Sequence, residues 1–206
     1  MWCASYGSNL YADSMASYLR GGTVPGRLRR RPGARCPRLA RDVRWYPLPG
    51  SVYFAKKATT WEGGGGVAFY DPERAGPAAA RAYLMARDQF DDVLAQENNR
   101  TPGAQPGVDF AQLLGNGSVL WGTGWYALVL HVGDIDGRPV LTFTTSESRA
   151  GMPINRPERA YLKIVARGLA EARGCAPEGI LSYLLGLEGI AGRWDPAKLT
   201  EVITVS

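Results

Sequence analysis

Apolar and polar residues follow two patterns along the chain, which together predict a mixed α and β fold. Short runs of β-branched, aromatic and aliphatic residues are typical of strands. Such runs occupy residues 1–4, 51–55, 67–70, 125–132 and 139–144. Asp136-Gly137 separates the last two runs, and this dipeptide predicts a tight hairpin turn. Residues 80–85 fit either a strand or a helix.

Apolar residues spaced three or four positions apart predict helices. Segments with this spacing occupy residues 10–19, 89–98, 108–114, 156–174 and 177–185. Asp88 offers a cap to the second segment, and Gly174 closes the fourth. Trp194 begins a short tail. Because neither an internal repeat nor a linker interrupts the pattern, residues 1–206 are interpreted as a single domain.

The first predicted strand leads directly into a glycine loop, Tyr6-Gly7-Ser8-Asn9-Leu10, that opens a helix. Gly7 permits backbone angles that other residues avoid, and Ser8 and Asn9 favour loops and caps. Backbone N–H groups at such a helix start are unpaired, and they bind carboxylate or phosphate. The loop is therefore a candidate anion site. An ordinary connection between a strand and a helix explains the same residues.

Glu97 shares a helix face with three apolar residues, Phe90, Val93 and Leu94, at positions i, i+3, i+4 and i+7. This spacing directs a carboxylate towards the core, which makes Glu97 the candidate general base. Burial disfavours the charged form of a carboxyl group unless a cation compensates. A glutamate at a helix end that bends into solvent is the alternative. Other carboxylates that could enter a pocket are Glu62, Asp71 and Glu147.

The composition, 45% hydrophobic and 21% charged over 206 residues, is typical of a soluble globular protein. Neither a signal-peptide pattern nor an apolar run of about 18 residues occurs, so we expect a cytoplasmic protein with no membrane segment. The three cysteines are odd in number and far apart, which supports neither a disulfide framework nor a zinc site. The single histidine, His131, lies among aliphatic residues of a predicted strand, so no metal site is expected.

The net charge of +5 is concentrated in an arginine-rich segment at residues 27–44. Its prolines and glycines exclude a regular basic helix, and aromatic residues are absent until its end. We interpret it as a solvated loop and expect no nucleic-acid binding. Attraction of an anionic substrate or an acidic partner stays open. The segment's arginines are Arg27, Arg29, Arg30, Arg31, Arg35, Arg38, Arg41 and Arg44.

Five segments, in order along most of the chain, resemble the γ-glutamylcyclotransferase-like family. Residues 6–10 (YGSNL) resemble the family's N-terminal signature, and residues 48–54 (LPGSVYF) its second-strand motif. Residues 60–68, with TWEGG and Ala68, are similar to its tryptophan-glycine segment. Residues 94–97 (LAQE) are similar to the stretch that holds its catalytic glutamate, and residues 156–162 (RPERAYL) to the start of its late helix.

The resemblance implies an α+β fold in which a small, mostly antiparallel β-barrel is flanked by helices. It implies a pocket between the Tyr6 loop and Glu97, in which the substrate's own α-amino group attacks its γ-glutamyl carbonyl. The products are pyroglutamate (5-oxoproline) and a free amine. Glu97 acts as base and then as acid, the N–H groups around Gly7, Ser8, Asn9 and Leu10 bind the substrate α-carboxylate, and Tyr161 faces the substrate. No cofactor is required.

Two alternatives remain beside this cyclisation. The same fold can direct water at the amide, which makes the protein an amide hydrolase. The other alternative is a non-catalytic protein, in which the pocket binds an anionic ligand or the arginine-rich segment binds an acidic partner. Neither the leaving amine nor the oligomeric state follows from the sequence.

Overall fold

The computed structural model describes residues 1–204, which form an α+β fold. The strands are β1 (Trp2–Ser5), β2 (Asp42–Trp45), β3 (Ser51–Ala55), β4 (Val67–Asp71), β5 (Arg81–Leu84), β6 (Ser118–Leu120), β7 (Leu128–Ile135) and β8 (Arg138–Thr144). The α-helices are α1 (Ala12–Arg20), α2 (Arg87–Glu97), α3 (Phe110–Asn116), α4 (Arg159–Arg173), α5 (Pro177–Leu185) and α6 (Pro196–Thr204). Short 3₁₀ turns lie at Ser8–Leu10 and Arg149–Gly151.

The strands form a mixed, mostly antiparallel sheet of six strands in the order β2-β5-β1-β8-β7-β6, and β3 and β4 form a separate pair. Strands β1 and β8 are parallel, and the other neighbouring strands are antiparallel. The strands of residues 1–204 therefore do not close into one hydrogen-bonded barrel. Where β4 approaches β8, the Thr144 hydroxyl joins them: it accepts from Tyr70 N at 3.1 Å and donates to Tyr70 O at 2.7 Å. A side chain replaces the backbone ladder that closure requires.

Each of the five predicted strands is confirmed, with ends that shift by up to three residues. The ambiguous segment at 80–85 is β5, which pairs with β1 on one side and β2 on the other. Asp136 and Gly137 have positive φ, 51° and 69°, as a tight hairpin turn between β7 and β8 requires. Strands β2 and β6 lie at the two sheet edges, and the sequence pattern did not predict them.

The five predicted helices are also confirmed, with two corrections. Asp88 does not cap α2, because the helix begins at Arg87 and Ala86 is its N-cap. Gln89 closes that end instead, accepting from Ala86 N at 3.0 Å. The predicted tail after Trp194 forms α6, since its Leu199 side chain is fully buried and secures the helix to the core.

Two hydrophobic cores lie on opposite faces of the sheet. Successive residues of β1 alternate between them: Trp2 and Ala4 belong to one core, and Cys3 to the other. The Trp2 core includes buried residues of β3, β4 and helices α4, α5 and α6, and the Cys3 core those of helices α1, α2 and α3. Residues that leave the end of β1 can therefore contact side chains from both groups of helices.

Within residues 1–204, no helix has the length and apolar character needed to cross a bilayer. The three cysteines are free, and Cys3 is buried. His131 lies in β7, with Nε2 3.4 Å from Asp134 Oδ1.

Candidate functional site

A small cavity of about 80 Å³ lies where the chain leaves the end of β1. The glycine loop after β1, the end of α2, the segment before β7 and the first turn of α4 each contribute to its wall. Its polar, charged and aromatic lining residues are Ser5, Tyr6, Ser8, Asn9, Tyr18, Arg27, Trp61, Glu97, Trp125, Tyr126, Phe143 and Tyr161. The fold thus brings together Tyr6, Ser8, Asn9, Glu97 and Tyr161, which the sequence predicted as one site.

Gly7 makes the sharp turn that ends β1, with φ 94° and ψ −140°. This combination belongs to a region essentially restricted to glycine. A Cβ atom at Gly7 would lie 2.8 Å from Ala68 Cβ and 2.8 Å from the Tyr161 hydroxyl. The missing side chain therefore allows the loop to pack directly against β4 and α4.

The turn after Gly7 narrows the predicted anion site to Ser8 and Asn9. Leu10 N donates to Gly7 O at 3.1 Å, so the Leu10 N–H is already used inside the 3₁₀ turn. The Leu10 side chain is buried in the core, and neither Leu10 nor Gly7 lines the cavity.

Glu97, the last residue of α2, projects into the cavity. Phe90, Val93 and Leu94 on the same helix face are fully buried, and Glu97 itself is half-buried. Its Oε1 accepts a hydrogen bond from Asn9 Nδ2 at 2.8 Å. The structure therefore favours the core-facing interpretation over a glutamate bent into solvent.

Asn9 links the glycine loop to Glu97 in a defined orientation. The buried Ser14 hydroxyl donates to Asn9 Oδ1 at 2.9 Å, which leaves the Asn9 amide nitrogen to face Glu97. The Tyr83 hydroxyl donates to Asn9 O at 2.7 Å and fixes the backbone. The Asn9 side chain therefore presents a hydrogen-bond donor to Glu97.

Tyr6, Tyr126 and Tyr161 are three of the four tyrosines that line the cavity, and their hydroxyl groups are used differently. The Tyr6 hydroxyl donates to Phe143 O at 2.6 Å, and the Tyr126 hydroxyl donates to Ala68 O at 2.9 Å. The Tyr161 hydroxyl instead accepts from Ala68 N at 3.2 Å. Burial raises the pKa of Tyr161 to about 12, so at neutral pH its hydroxyl keeps a proton that it can donate to a ligand.

Asn98, the residue after Glu97, holds Tyr126 in the cavity wall. Asn98 Oδ1 accepts from Tyr126 N at 3.0 Å, and Asn98 Nδ2 donates to Tyr126 O at 3.2 Å. The Tyr126 ring stacks on Phe69, with centroids 5.0 Å apart. The side chain next to the candidate base therefore shapes the cavity through Tyr126.

The arginine-rich segment is not entirely solvated, which corrects the prediction for two of its residues. Arg29 and Arg30 are exposed, but Arg31 is buried and Arg27 is half-buried in the cavity wall. The Arg31 guanidinium lies over the Tyr18 ring at 3.6 Å and hydrogen-bonds to Ser17 Oγ. Burial lowers the pKa of Arg31.

Sequence reasoning missed Tyr18 as well as Arg27 and Arg31. Burial raises the pKa of Tyr18 and the charge of Glu97 adds to that increase, whereas the charges of Arg31 and Arg27 oppose it. The helical spacing of Tyr18 indicates burial but not a place in the site. The sequence does not distinguish Arg31 from the exposed arginines beside it. It is buried because its backbone pairs with Gly22, with N–O distances of 2.7 and 3.0 Å.

Glu97 is the only carboxylate among the described residues that line the cavity. The competing candidates lie elsewhere: Glu62 is exposed, Asp71 is half-buried at the end of β4, and Glu147 pairs with Lys56. Within residues 1–204, no group of three or more His, Cys, Asp or Glu side chains is arranged to hold a metal ion.

The chain is similar to the protein named Histone deacetylase 5 from Arabidopsis thaliana, with 31% identity over 198 residues. The matched region covers 89% of this chain but 30% of that protein, so the chain spans less than a third of its relative's length. No family model matches the chain.

Two solved structures extend over nearly the whole chain in comparison. One is named Gamma-glutamyl cyclotransferase, with a TM-score of 0.49, 13% identity, and coverage of 100% of this chain and 99% of that one. The other is an uncharacterised protein from Homo sapiens, with a TM-score of 0.46, 13% identity, and coverage of 98% and 97%. Both TM-scores lie below 0.5.

Proposed function

We propose that this chain is a γ-glutamylcyclotransferase-type enzyme that cleaves a γ-glutamyl amide to pyroglutamate and a free amine. The observation that carries the proposal is the Asn9–Glu97 hydrogen bond of 2.8 Å. It places a carboxylate that can transfer protons next to the loop that can bind the substrate's α-carboxylate. Cyclisation requires these two functions side by side, because the α-amino and α-carboxylate groups share one carbon atom of the substrate.

In this proposal, the tight turn binds the α-carboxylate at Ser8 and Asn9. Both residues line the cavity, and the shape of the turn depends on Gly7. Binding the α-carboxylate here presents the neighbouring α-ammonium group to Glu97. Holding the two reacting ends of the substrate together lowers the entropic part of the barrier.

Glu97 then acts first as a base and afterwards as an acid. It removes a proton from the α-ammonium group, and the freed nitrogen attacks the γ-carbonyl carbon to form the C–N bond of the lactam. Glu97 gives this proton to the leaving nitrogen and takes a second proton from the attacking nitrogen, so that the tetrahedral intermediate collapses to the lactam as the bond to the leaving nitrogen breaks. Glu97 then passes the second proton to the released amine, which departs as an ammonium ion. Both protons lost by the α-nitrogen therefore end on the amine, and no water or cofactor is consumed.

In this mechanism, Tyr161 stabilises the oxygen of the γ-carbonyl as negative charge develops on it. Its hydroxyl accepts from Ala68 N and keeps its own proton at neutral pH, since its pKa is raised to about 12. A preorganised donor of this kind in a small site stabilises a developing oxyanion. Tyr6 and Tyr126 donate to backbone carbonyls, so we assign them to the wall of the cavity.

The test compares wild type with Glu97→Gln on γ-glutamyl amino acids, γ-glutamyl amines and glutathione, with pyroglutamate measured by mass spectrometry. Wild type releases pyroglutamate. Glu97→Gln loses about 10²–10⁴-fold in rate, the range typical of a general acid–base residue. Glu62→Gln, a change at an exposed carboxylate away from the cavity, retains the wild-type rate. Full activity in Glu97→Gln would contradict the mechanism.

Product identity separates the proposal from its alternatives. Free glutamate in place of pyroglutamate indicates that water attacks the amide. Tight binding of γ-glutamyl compounds without any product indicates a non-catalytic binding protein. The name of the plant relative adds no further candidate, because the chain covers 30% of that protein.

A further inference from the structure

Arg27 lines the cavity wall and carries a positive charge. Within residues 1–204, it forms no ion pair with an acidic side chain. Its Nε atom is buried and has no hydrogen-bond partner among the described residues. A buried guanidinium nitrogen is normally hydrogen-bonded, so an unpaired one beside a cavity points to a partner that arrives with the ligand. Lys56 differs, because it lies over Trp125 but pairs with Glu147.

A second buried arginine adds to the positive potential at this wall. Arg31 Nε and Nη2 also lack hydrogen-bond partners within the described part of the chain, and no ion pair there neutralises the group. Arg27 and Arg31 are close enough for the charge of Arg27 to contribute to lowering the pKa of Arg31, after burial as the main cause. Two neighbouring positive charges produce a positive potential that attracts an anionic ligand into the cavity.

Arg27 and the glycine loop contact different aromatic residues of the cavity wall. The Arg27 guanidinium lies 5.6 Å from the centre of the Trp61 ring, and Trp61 lies edge-on to Tyr161 at 5.0 Å. Tyr161 is the group that contacts Ser8, whose backbone and hydroxyl help to lower its pKa against the effect of burial. Arg27 therefore contacts Trp61, whereas the loop that we assign to the α-carboxylate contacts Tyr161.

We propose that Arg27 selects substrates whose leaving group carries a carboxylate, that is, γ-glutamyl amino acids or peptides rather than γ-glutamyl amines. This inference rests on the proposed function, which places the α-carboxylate at Ser8 and Asn9. A guanidinium matches a carboxylate through two parallel N–H donors, and Nε is one of the donors available for such a pair.

The experiment compares two ligands that share the glutamyl unit and differ in the leaving-group carboxylate: γ-glutamyl-glycine and γ-glutamyl-methylamide. Calorimetric titrations in the Glu97→Gln background prevent consumption of either ligand. We expect γ-glutamyl-glycine to bind about 10- to 100-fold more tightly than γ-glutamyl-methylamide. In Arg27→Gln, we expect the two ligands to bind with equal affinity. Arg29→Gln, which changes an exposed arginine of the same segment, keeps the preference for γ-glutamyl-glycine.

Arg27→Lys checks that a lost preference is not a folding defect. Lysine retains the charge but lacks the Nε donor, so we expect an intermediate ratio and an unchanged circular dichroism spectrum. An equal loss of affinity for both ligands in Arg27→Gln would assign Arg27 to the shared α-carboxylate and overturn the inference. Equal affinities in the parent background would overturn it as well.

Pyroglutamate release, measured in parallel on proteins that retain Glu97, separates the two proposals. A preference for γ-glutamyl-glycine that depends on Arg27, without pyroglutamate, supports the assignment of Arg27 and contradicts the reaction. Pyroglutamate release with no preference supports the reaction and contradicts the assignment. Absence of binding by either ligand contradicts both.

Discussion

The orientation of one amide side chain determines how Glu97 is presented. Asn9 Nδ2 reaches Glu97 because the Ser14 hydroxyl occupies Asn9 Oδ1, and Ser14 is completely buried. If Ser14 is absent, the Asn9 oxygen loses its donor and the amide is free to rotate. Ser14 thus supports the candidate base without touching it.

Replacing Ser14 with Ala leaves a buried acceptor unsatisfied. We expect Ser14→Ala to lower the free energy of unfolding by about 1–3 kcal/mol, measured by urea denaturation. We also expect a lower kcat for pyroglutamate release, because the Asn9 amide no longer holds a single orientation. Ser146→Ala, at an exposed serine, leaves both quantities within experimental error of wild type. A Ser14→Ala protein with wild-type kcat would show that Asn9 needs no such support.

At the residue scale, the sequence predicted Glu97 but not Arg31. Helical periodicity alone places Glu97 on the face of Phe90, Val93 and Leu94, since that relation is local. Arg31 lies in an irregular segment, where burial depends on pairing with Gly22 and stacking on Tyr18. Neither contact leaves a periodic pattern in the sequence.

The connection between β1 and α1 depends on Gly7 at the scale of the element. A residue with a side chain would be destabilised there for two reasons. Its backbone would be strained at φ of 94° and ψ of −140°, and its Cβ atom would clash with Ala68 and Tyr161 at 2.8 Å. The sequence predicted the need for glycine, because a strand must turn sharply into a helix here. It did not predict the 3₁₀ turn, which uses the Leu10 N–H and shortens the anion site.

We expect Gly7→Ala to cost about 1–3 kcal/mol of stability from backbone strain, and more from displacement of Tyr161. Activity should fall with it, because Ser8 and Tyr161 both move. Gly192→Ala is the matched control: its φ is 66°, but no atom lies within 4 Å of the added Cβ. Thermal unfolding and pyroglutamate release compare the two. Equal effects of the two substitutions would indicate that the contacts with Ala68 and Tyr161 are unimportant.

For the whole molecule, strands with strong hydrophobic patterns were predictable and those at the edges were not. β2 (Asp42–Trp45) has no fully buried residue, and β6 contains three residues. Their strand conformation comes from pairing with β5 and β7, which are distant in sequence. The barrel implied by the family resemblance is likewise a long-range property: the protein has an open six-stranded sheet and a separate β3-β4 pair.

Helix α6 shows the contribution of the last described residues to stability. Leu199 is fully buried in the core that contains α4 and α5. We expect Leu199→Ala to lower the free energy of unfolding by about 2–5 kcal/mol, as buried leucines typically do. Leu28→Ala, at a leucine that is 61% exposed, changes it by less than about 0.5 kcal/mol. A small effect at Leu199 would contradict the packing of α6 described above.

The origin of the product's oxygen atoms tests the central claim most directly. Wild type is incubated with γ-glutamyl-glycine in water enriched in ¹⁸O, and the ¹⁸O content of pyroglutamate and glutamate is measured by mass spectrometry. Intramolecular attack by the α-amino group retains the original carbonyl oxygen, so we expect pyroglutamate without ¹⁸O and almost none from Glu97→Gln. Glutamate carrying one ¹⁸O, or labelled pyroglutamate formed from it, would show that water attacks the amide and would contradict the account.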